Sequence, residues 1–200
     1  MLRIAITGGI GSGKTVITSY LEQKGYTIVD ADVISREMTG PGGCAIERII
    51  EVFGPDIASI ENGLNRDFVR NLVFSNAEYK LKFEAIVTKS VIDAVNQVLK
   101  SYELSKKDVV FVAAPLLFEY HMQDGYDAVW VVVSDENTRI KRVSERDGLD
   151  TDIINRIIDS QLSDDDKCAL ATDIIENNST IDDLKAAVDN LLGKYKLRLN

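Results

Sequence analysis

Residues Gly8-Gly9-Ile10-Gly11-Ser12-Gly13-Lys14-Thr15 have the types and spacing that hold a chain of phosphates: glycine, four variable positions, then Gly-Lys and a hydroxyl residue. A glycine-rich turn between a strand and a helix aims several backbone N–H groups into one concavity, and the positive end of the helix adds to the attraction for anions. In such a cradle Lys14 reaches the β- and γ-phosphates, and the Thr15 hydroxyl takes one position on Mg²⁺. The backbone of Gly8, Gly11, Ser12, Gly13 and Val16 completes the expected nucleotide contacts, with glycine allowing close approach or positive φ.

Two further groups of residues carry chemistry. Asp30 and Asp32 follow the short apolar run Tyr26 to Val29 and are expected to end the strand neighbouring the cradle, where carboxylates of open α/β sheets work. We assign Asp32 to orienting and deprotonating an acceptor hydroxyl, and Asp30 to Mg²⁺ or its water shell. Capping of a helix that starts at Val33 is the competing role for Asp32. Arg139, Arg142 and Arg146, spaced by three and four, form a basic face on one helix. Over a transferring phosphoryl group they would stabilise its negative oxygens and exclude water; pairing with Glu136 and Glu145 on a solvated face is the alternative.

The elements that must position these groups are legible in the apolar pattern. Leu2 to Thr7 reads as a buried strand, and Val16, Ile17, Tyr20 and Leu21 continue as a helix that Gly25 ends. Val109 to Ala114 and Ala128 to Val133 lack polar alternation and read as central parallel strands, with Trp130 in the core. A long helix is expected over Ala77 to Tyr102, with Leu81, Ala85, Ile92, Val95, Leu99 and Tyr102 as its packing stripe. Helices are expected over Val33 to Met38, Cys44 to Phe53, Ser134 to about Arg146, Thr151 to Leu162 and Asp164 to Ala171. Asp173 to Glu176 reads as a last strand, and Thr180 with Asp183 opens a closing helix. The order predicts a three-layer α/β/α domain with a parallel sheet.

Composition narrows the function. With 23 basic against 32 acidic residues the net charge is −9, which opposes binding to a nucleic-acid backbone or an anionic membrane. The longest apolar run, Val109 to Phe118, is far short of the roughly 20 residues that span a bilayer, and no secretory signal is evident. A cytoplasmic protein with no nucleic-acid or membrane partner is expected. Cys44 and Cys168 lack metal-ligand spacing and are expected to be reduced packing residues. His121, the single histidine, is expected in a loop or at the surface. No Asn-Lys-x-Asp guanine-reading segment occurs, and the strand at Val109 continues into Ala114-Pro115-Leu116 without the acid of ABC-type or AAA-type ATPases. With Asp32 expected beside the cradle and the arginines on a lid helix, the cradle reads as the donor half of a kinase for a small metabolite, using ATP and Mg²⁺.

Together the residues resemble the dephospho-CoA kinase family over most of the chain. The resemblance is carried by Thr7 to Thr15, Asp30-Ala31-Asp32 with Ser35-Arg36-Glu37, Pro115-Leu116-Leu117-Phe118-Glu119, Arg142, Arg146-Asp147, Gln161, Lys167 and Asp173 to Asn178. It implies a P-loop NTPase fold with a helical substrate-binding insertion and a helical lid. The implied reaction is ATP-dependent phosphorylation of the dephospho-CoA 3′-hydroxyl, giving CoA and ADP. It also implies catalytic roles for Lys14, Asp32 and Arg142, and nucleotide contact by Arg146. The expected division is a nucleotide-binding core of 1–31, 107–135 and 172–200, a CoA-binding insertion of 32–106 and a lid of 136–171. Where the family usually reads His-Pro, one further residue, an aliphatic and Arg, this chain has Thr88-Lys89-Ser90-Val91-Ile92, with Lys89 as a possible replacement for the lost charge. Arg139 stands where glutamine is common. A P-loop kinase for another nucleotide or metabolite is the alternative, and a non-catalytic nucleotide-binding module the third reading.

Overall fold

The computed structural model of the chain describes residues 1–59 and 61–197; the last three positions of the expected core segment lie outside them. In chain order the elements are β1 (Leu2–Thr7), α1 (Lys14–Gln23), β2 (Thr27–Asp30), α2 (Ala31–Met38), α3 (Ile46–Phe53), β3 (Ala58–Ser59), β4 (Gly63–Leu64), α4 (Arg66–Ser75) and α5 (Ala77–Leu104). There follow β5 (Val109–Ala113), β6 (Ala128–Val133), α6 (Glu136–Asp147), α7 (Thr151–Asp159), α8 (Asp164–Leu170), β7 (Asp173–Glu176) and α9 (Ile181–Lys194). They form two compact units, one of Met1–Val29 with the chain from Tyr102 onward, the other of Asp30–Ser101.

The first unit is built on a five-stranded sheet in the order β2-β5-β1-β6-β7. β1 pairs in parallel with β5, Ile4 opposite Phe111, and with β6, Ile6 opposite Trp130; β6 pairs in parallel with β7. Every residue of β5 is buried, as is Ala128 to Val132 of β6, because helices cover both faces of a parallel sheet. On one face Ile4, Ile6, Phe111 and Trp130 pack against Ile17 and Leu21 of α1 and Leu184 and Val188 of α9. Trp130 is fully buried and its ring centroid lies 5.3 Å from that of Phe111, so it is a core residue. The chain leaves β1 for β2 on one side and β5 for β6 on the other. The order therefore reverses at β1, and the Gly8–Thr15 turn sits at the carboxyl end of this central strand.

That strand order corrects one expectation: β2, which ends in Asp30, is not the neighbour of β1, since β5 lies between them. β5 earns the place through an all-apolar sequence that tolerates burial on both sides, whereas β2 has only Val29 fully buried and suits the edge.

The second unit is held by Met38, Ala45, Ile46, Ile49 and Ile57, with Phe68, Val69, Phe83, Val87 and Val91 packed against them. The expected stripe of α5 is half wrong. Val95 and Leu99 are buried, but Leu81 is 67% exposed and Ala85 is also exposed, while Phe83, Ile86 and Val87 face the core. A strict 3.5-residue repeat drifts from the 3.6-residue turn over 28 residues, and apolar side chains occur on more than one face. The helix α4 and the antiparallel pair β3–β4 were not expected; Asn65 starts α4 by accepting from the Phe68 N–H at 3.1 Å. Cys44 is exposed and so is not a packing residue, and Cys168 is half-buried, its thiol pKa raised by burial and by Asp164, Asp165 and Glu176. His121 is exposed, in a loop, with φ of 52°.

Candidate active site

Gly13 caps α1 in the left-handed conformation, φ 107°, and contributes no side chain to the helix start. The N–H groups of Gly11, Gly13 and Thr15 accordingly have no acceptor among the described residues. A helix end left open in this way is an anion site. A Cβ at Gly13 would lie 2.1 Å from Asn177 Nδ2, and one at Gly8 would lie 2.2 Å from the Val132 carbonyl oxygen. Lys14 Nζ donates to the carbonyls of Gly8 at 2.6 Å and Gly9 at 3.0 Å, so the ammonium is held over the loop. Thr15 and Val16 are exposed, and Ser12 is fully buried with an Oγ that has no hydrogen-bond partner among the described residues.

The loop's carbonyls are gripped from α6 and from the end of β7. Arg139, 5% exposed, donates through Nε to Ile10 O at 2.9 Å and pairs with Asp164 at 2.6 Å. Its guanidinium fills the space that a side chain at Gly9 would need, 2.4 Å from the added Cβ. Arg142 donates to Gly11 O at 3.5 Å, Ser134 Oγ at 3.1 Å and Asn177 O at 3.0 Å. Asn177, buried, donates from Nδ2 to Ser12 O at 2.7 Å. Gln161 Oε1 accepts from Ile10 N at 3.0 Å. The arginines spaced by three and four thus divide: Arg139 and Arg142 bind the backbone of the loop, whereas Arg146 is bonded to the neighbouring Asp147 at 2.6 Å, which raises its pKa.

A second polar knot follows β5. Lys167, fully buried, donates to Leu162 O at 2.6 Å and lies 3.4 Å from Glu119 Oε1, which accepts from Leu162 N at 3.0 Å. Since Leu162 follows Gln161, this knot fixes the segment that contacts Ile10.

Asp30 and Asp32 belong to the other unit. Helix α2 begins at Ala31, and Asp30 is its cap: Oδ1 accepts from Asp32 N at 2.8 Å and Val33 N at 3.1 Å. The capping role weighed for Asp32 therefore falls to Asp30, and Asp32 is exposed in the first turn. Asn177, Gln161 and Asp164 received no individual role from the sequence. The only local hint was that Gly13 must be glycine, and the partner that makes it so is 164 positions away.

Known proteins are similar to this chain in sequence and fold. The family model described as dephospho-CoA kinase matches residues 2–183. A dephospho-CoA kinase of Corynebacterium glutamicum is 33% identical over 194 residues, covering 97% of this chain and 100% of its own. One of Vibrio vulnificus is 35% identical over 199 residues, covering 97% and 95%. Among solved structures, one from Thermus thermophilus has a TM-score of 0.77 at 29% identity, covering 96% of this chain and 97% of its own. The dephospho-CoA kinase of Campylobacter jejuni, at 22% identity and a TM-score of 0.72 with 96% of each chain covered, shares the fold. So does a shikimate kinase of Acinetobacter baumannii, at 17% identity and a TM-score of 0.55 with 99% and 96% covered. The chain belongs to the dephospho-CoA kinase family.

Proposed function

We propose that the protein transfers the γ-phosphoryl group of ATP to the 3′-hydroxyl of dephospho-CoA, giving CoA and ADP, as a cytoplasmic enzyme. The observation that carries the reading is an open phosphate cradle at Gly8–Thr15 in a chain that matches dephospho-CoA kinases over 97% of its length.

The residues fit a nucleotide and Mg²⁺. The N–H groups of Gly11, Gly13 and Thr15, which have no acceptor among the described residues, suit phosphate oxygens, with the Ser12 backbone between them and the Gly8 and Val16 backbone at the two ends of the cradle. Lys14 exchanges its two loop carbonyls for β- and γ-phosphate oxygens. Thr15 Oγ1 and the remaining oxygen of Asp30 would hold Mg²⁺, which supplies charge neutralisation when bound. Mg²⁺ bound with nucleotide takes one or two protein oxygens and completes its shell with phosphate and water.

Asp32 acts as the base. It accepts the proton of the 3′-hydroxyl as that oxygen attacks the γ-phosphorus, the bond to the β-phosphate oxygen breaks, and ADP leaves. Arg142 stabilises the charge on the transferring group, and Arg146 contacts the nucleotide after exchanging Asp147 for it. These roles depend on positioning more than on covalent chemistry, which the types and exposure of the residues support.

Purified protein with Mg-ATP and dephospho-CoA is expected to yield CoA by mass spectrometry. Lys14→Ala should lower kcat about 10²- to 10³-fold. Asp32→Asn should lower kcat about 10²- to 10⁴-fold while ADP affinity is kept. No product from the parent above the Lys14→Ala background overturns the reading; turnover of another acceptor in the same assay would replace dephospho-CoA as substrate.

A further inference from the structure

The polar knot after β5 holds two charged side chains for which the proposed reaction has no direct use. Lys167 is fully buried, with Glu119 partly buried beside it. Lysine is almost never fully buried without a partner, and an apolar pair of similar volume often fills such a site with no loss of stability. What an apolar pair cannot do is hold a backbone. Glu119 Oε1 accepts from Leu162 N at 3.0 Å and Lys167 Nζ donates to Leu162 O at 2.6 Å, so the peptides on both sides of Leu162 are fixed.

Gln161 is thereby aimed at the phosphate loop, and one peptide of the loop carries the effect onward. Ile10 N donates to Gln161 Oε1 at 3.0 Å, and the carbonyl of the same peptide, Gly9 O, accepts from Lys14 Nζ at 3.0 Å and from Ser12 N at 3.3 Å. In a trans peptide the N–H and C=O point in opposite directions, so the acceptor on Ile10 N turns the Gly9 carbonyl toward Lys14. On the following peptide Arg139 holds Ile10 O at 2.9 Å. We infer, on the footing of the phosphate-binding role proposed above for Lys14, that Lys167 and Glu119 are positioning residues for the donor nucleotide. Acting through Leu162, Gln161 and the Gly9–Ile10 peptide, they keep the Lys14 ammonium over the cradle before phosphate oxygens replace the loop carbonyls. Neither touches the nucleotide; their effect is to spare it the cost of ordering the loop.

A chain of contacts becomes a coupling only when its links fail together, so the test is a cycle between Lys167→Met, which keeps the length and loses the donor, and Gln161→Leu, which loses the acceptor on Ile10. In calorimetric titrations each single variant should weaken ADP binding about tenfold, and the double variant K167M/Q161L also about tenfold rather than the roughly hundredfold of independent effects. In steady-state assays K167M should raise the KM for ATP about tenfold and change the KM for dephospho-CoA less than about twofold, a split that partial unfolding would not produce. Hydrogen exchange supplies a readout without nucleotide: well below the melting temperature, the Ile10 amide should exchange at least about tenfold faster in K167M than in the parent. Because K167M strands the Glu119 charge, each measurement is repeated in E119Q/K167M, which removes both charges and should show the same losses. Losses in K167M and Q161L that multiply in the double variant, or an Ile10 amide in E119Q/K167M that exchanges within about twofold of the parent, overturn the inference. Should the parent bind no ADP, the role proposed for Lys14 falls, and the Ile10 exchange rate still decides whether Lys167 acts on the loop.

Discussion

Asn177 shows what a single residue beyond the motif contributes. Its side-chain amide is the donor for the Ser12 carbonyl, its own carbonyl accepts from Arg142, and its Nδ2 occupies the space a Gly13 side chain would take. Truncation to alanine removes the donor and leaves a buried carbonyl unsatisfied. Asn177→Ala is therefore expected to destabilise the fold by about 1–3 kcal/mol and to weaken ADP binding about tenfold, read by thermal melting and calorimetry. Gly13→Ala should abolish ADP binding, because a Cβ meets Asn177 at 2.1 Å and φ is 107°. Adding Asn177→Ala relieves the contact but not the backbone strain, so the double variant should recover stability only in part; full recovery would show that φ does not matter there. The Gly8–Thr15 cradle was legible because its chemistry is local: glycines, lysine and hydroxyl stand side by side in sequence. Gln161 and the stretch holding Asn177 entered only as carriers of the family resemblance, without a role, and Asp164 did not enter at all, because their partners lie 151, 165 and 25 positions away and no periodicity joins them.

Among the elements, α9 was readable from its cap and in part from its apolar stripe: of Ile181, Leu184, Val188, Leu191 and Tyr195, Leu184 and Val188 are buried and Leu191 and Tyr195 partly so, whereas Ile181 is 59% exposed and Leu192, outside the stripe, is buried. Thr180 accepts from Asp183 N while the Asp183 carboxylate accepts from Thr180 N, a reciprocal pair that closes the start of the helix carrying Leu184, Val188 and Leu192 into the core. Thr180→Ala should cost about 1 kcal/mol. Hydrogen bonds from Ser179 and Thr180 lower the Asp183 pKa below its usual value. A depressed carboxylate stabilises the fold above the unfolded pKa, about 3.9, and that contribution is lost as pH falls through the lower folded value. Melting temperatures measured from pH 5 down to pH 2 should fall more steeply for the parent than for Asp183→Asn, and equal slopes would refute the assignment. The α5 stripe failed for a different reason. In a 28-residue helix with apolar residues on several faces, period alone does not say which face packs, and only the partners Met38, Ile46 and Ile57 select Phe83 and Val87 over Leu81. β3 and β4 have two residues each, too few to show an alternating pattern, and α4 owes its start to the Asn65 cap.

At the scale of the whole molecule, the cradle gathers its contacts from the start, middle and end of one unit: Ile10, Arg139 and Gln161, and Asn177. ADP is thus expected to stabilise the unit that holds the cradle more than the segment Asp30–Ser101. At a concentration 100 times its dissociation constant, ADP contributes about 2.7 kcal/mol to the unit that binds it. For a chain of this size that corresponds to a rise in melting temperature of about 5–11 °C. Hydrogen exchange locates the gain: ADP should slow exchange in β1, α1, α6 and around Asn177, with little change in α3 and α4. Equal protection of α3 and α4 by ADP would mean that the two units open as one cooperative body, and that the expected difference between them is wrong.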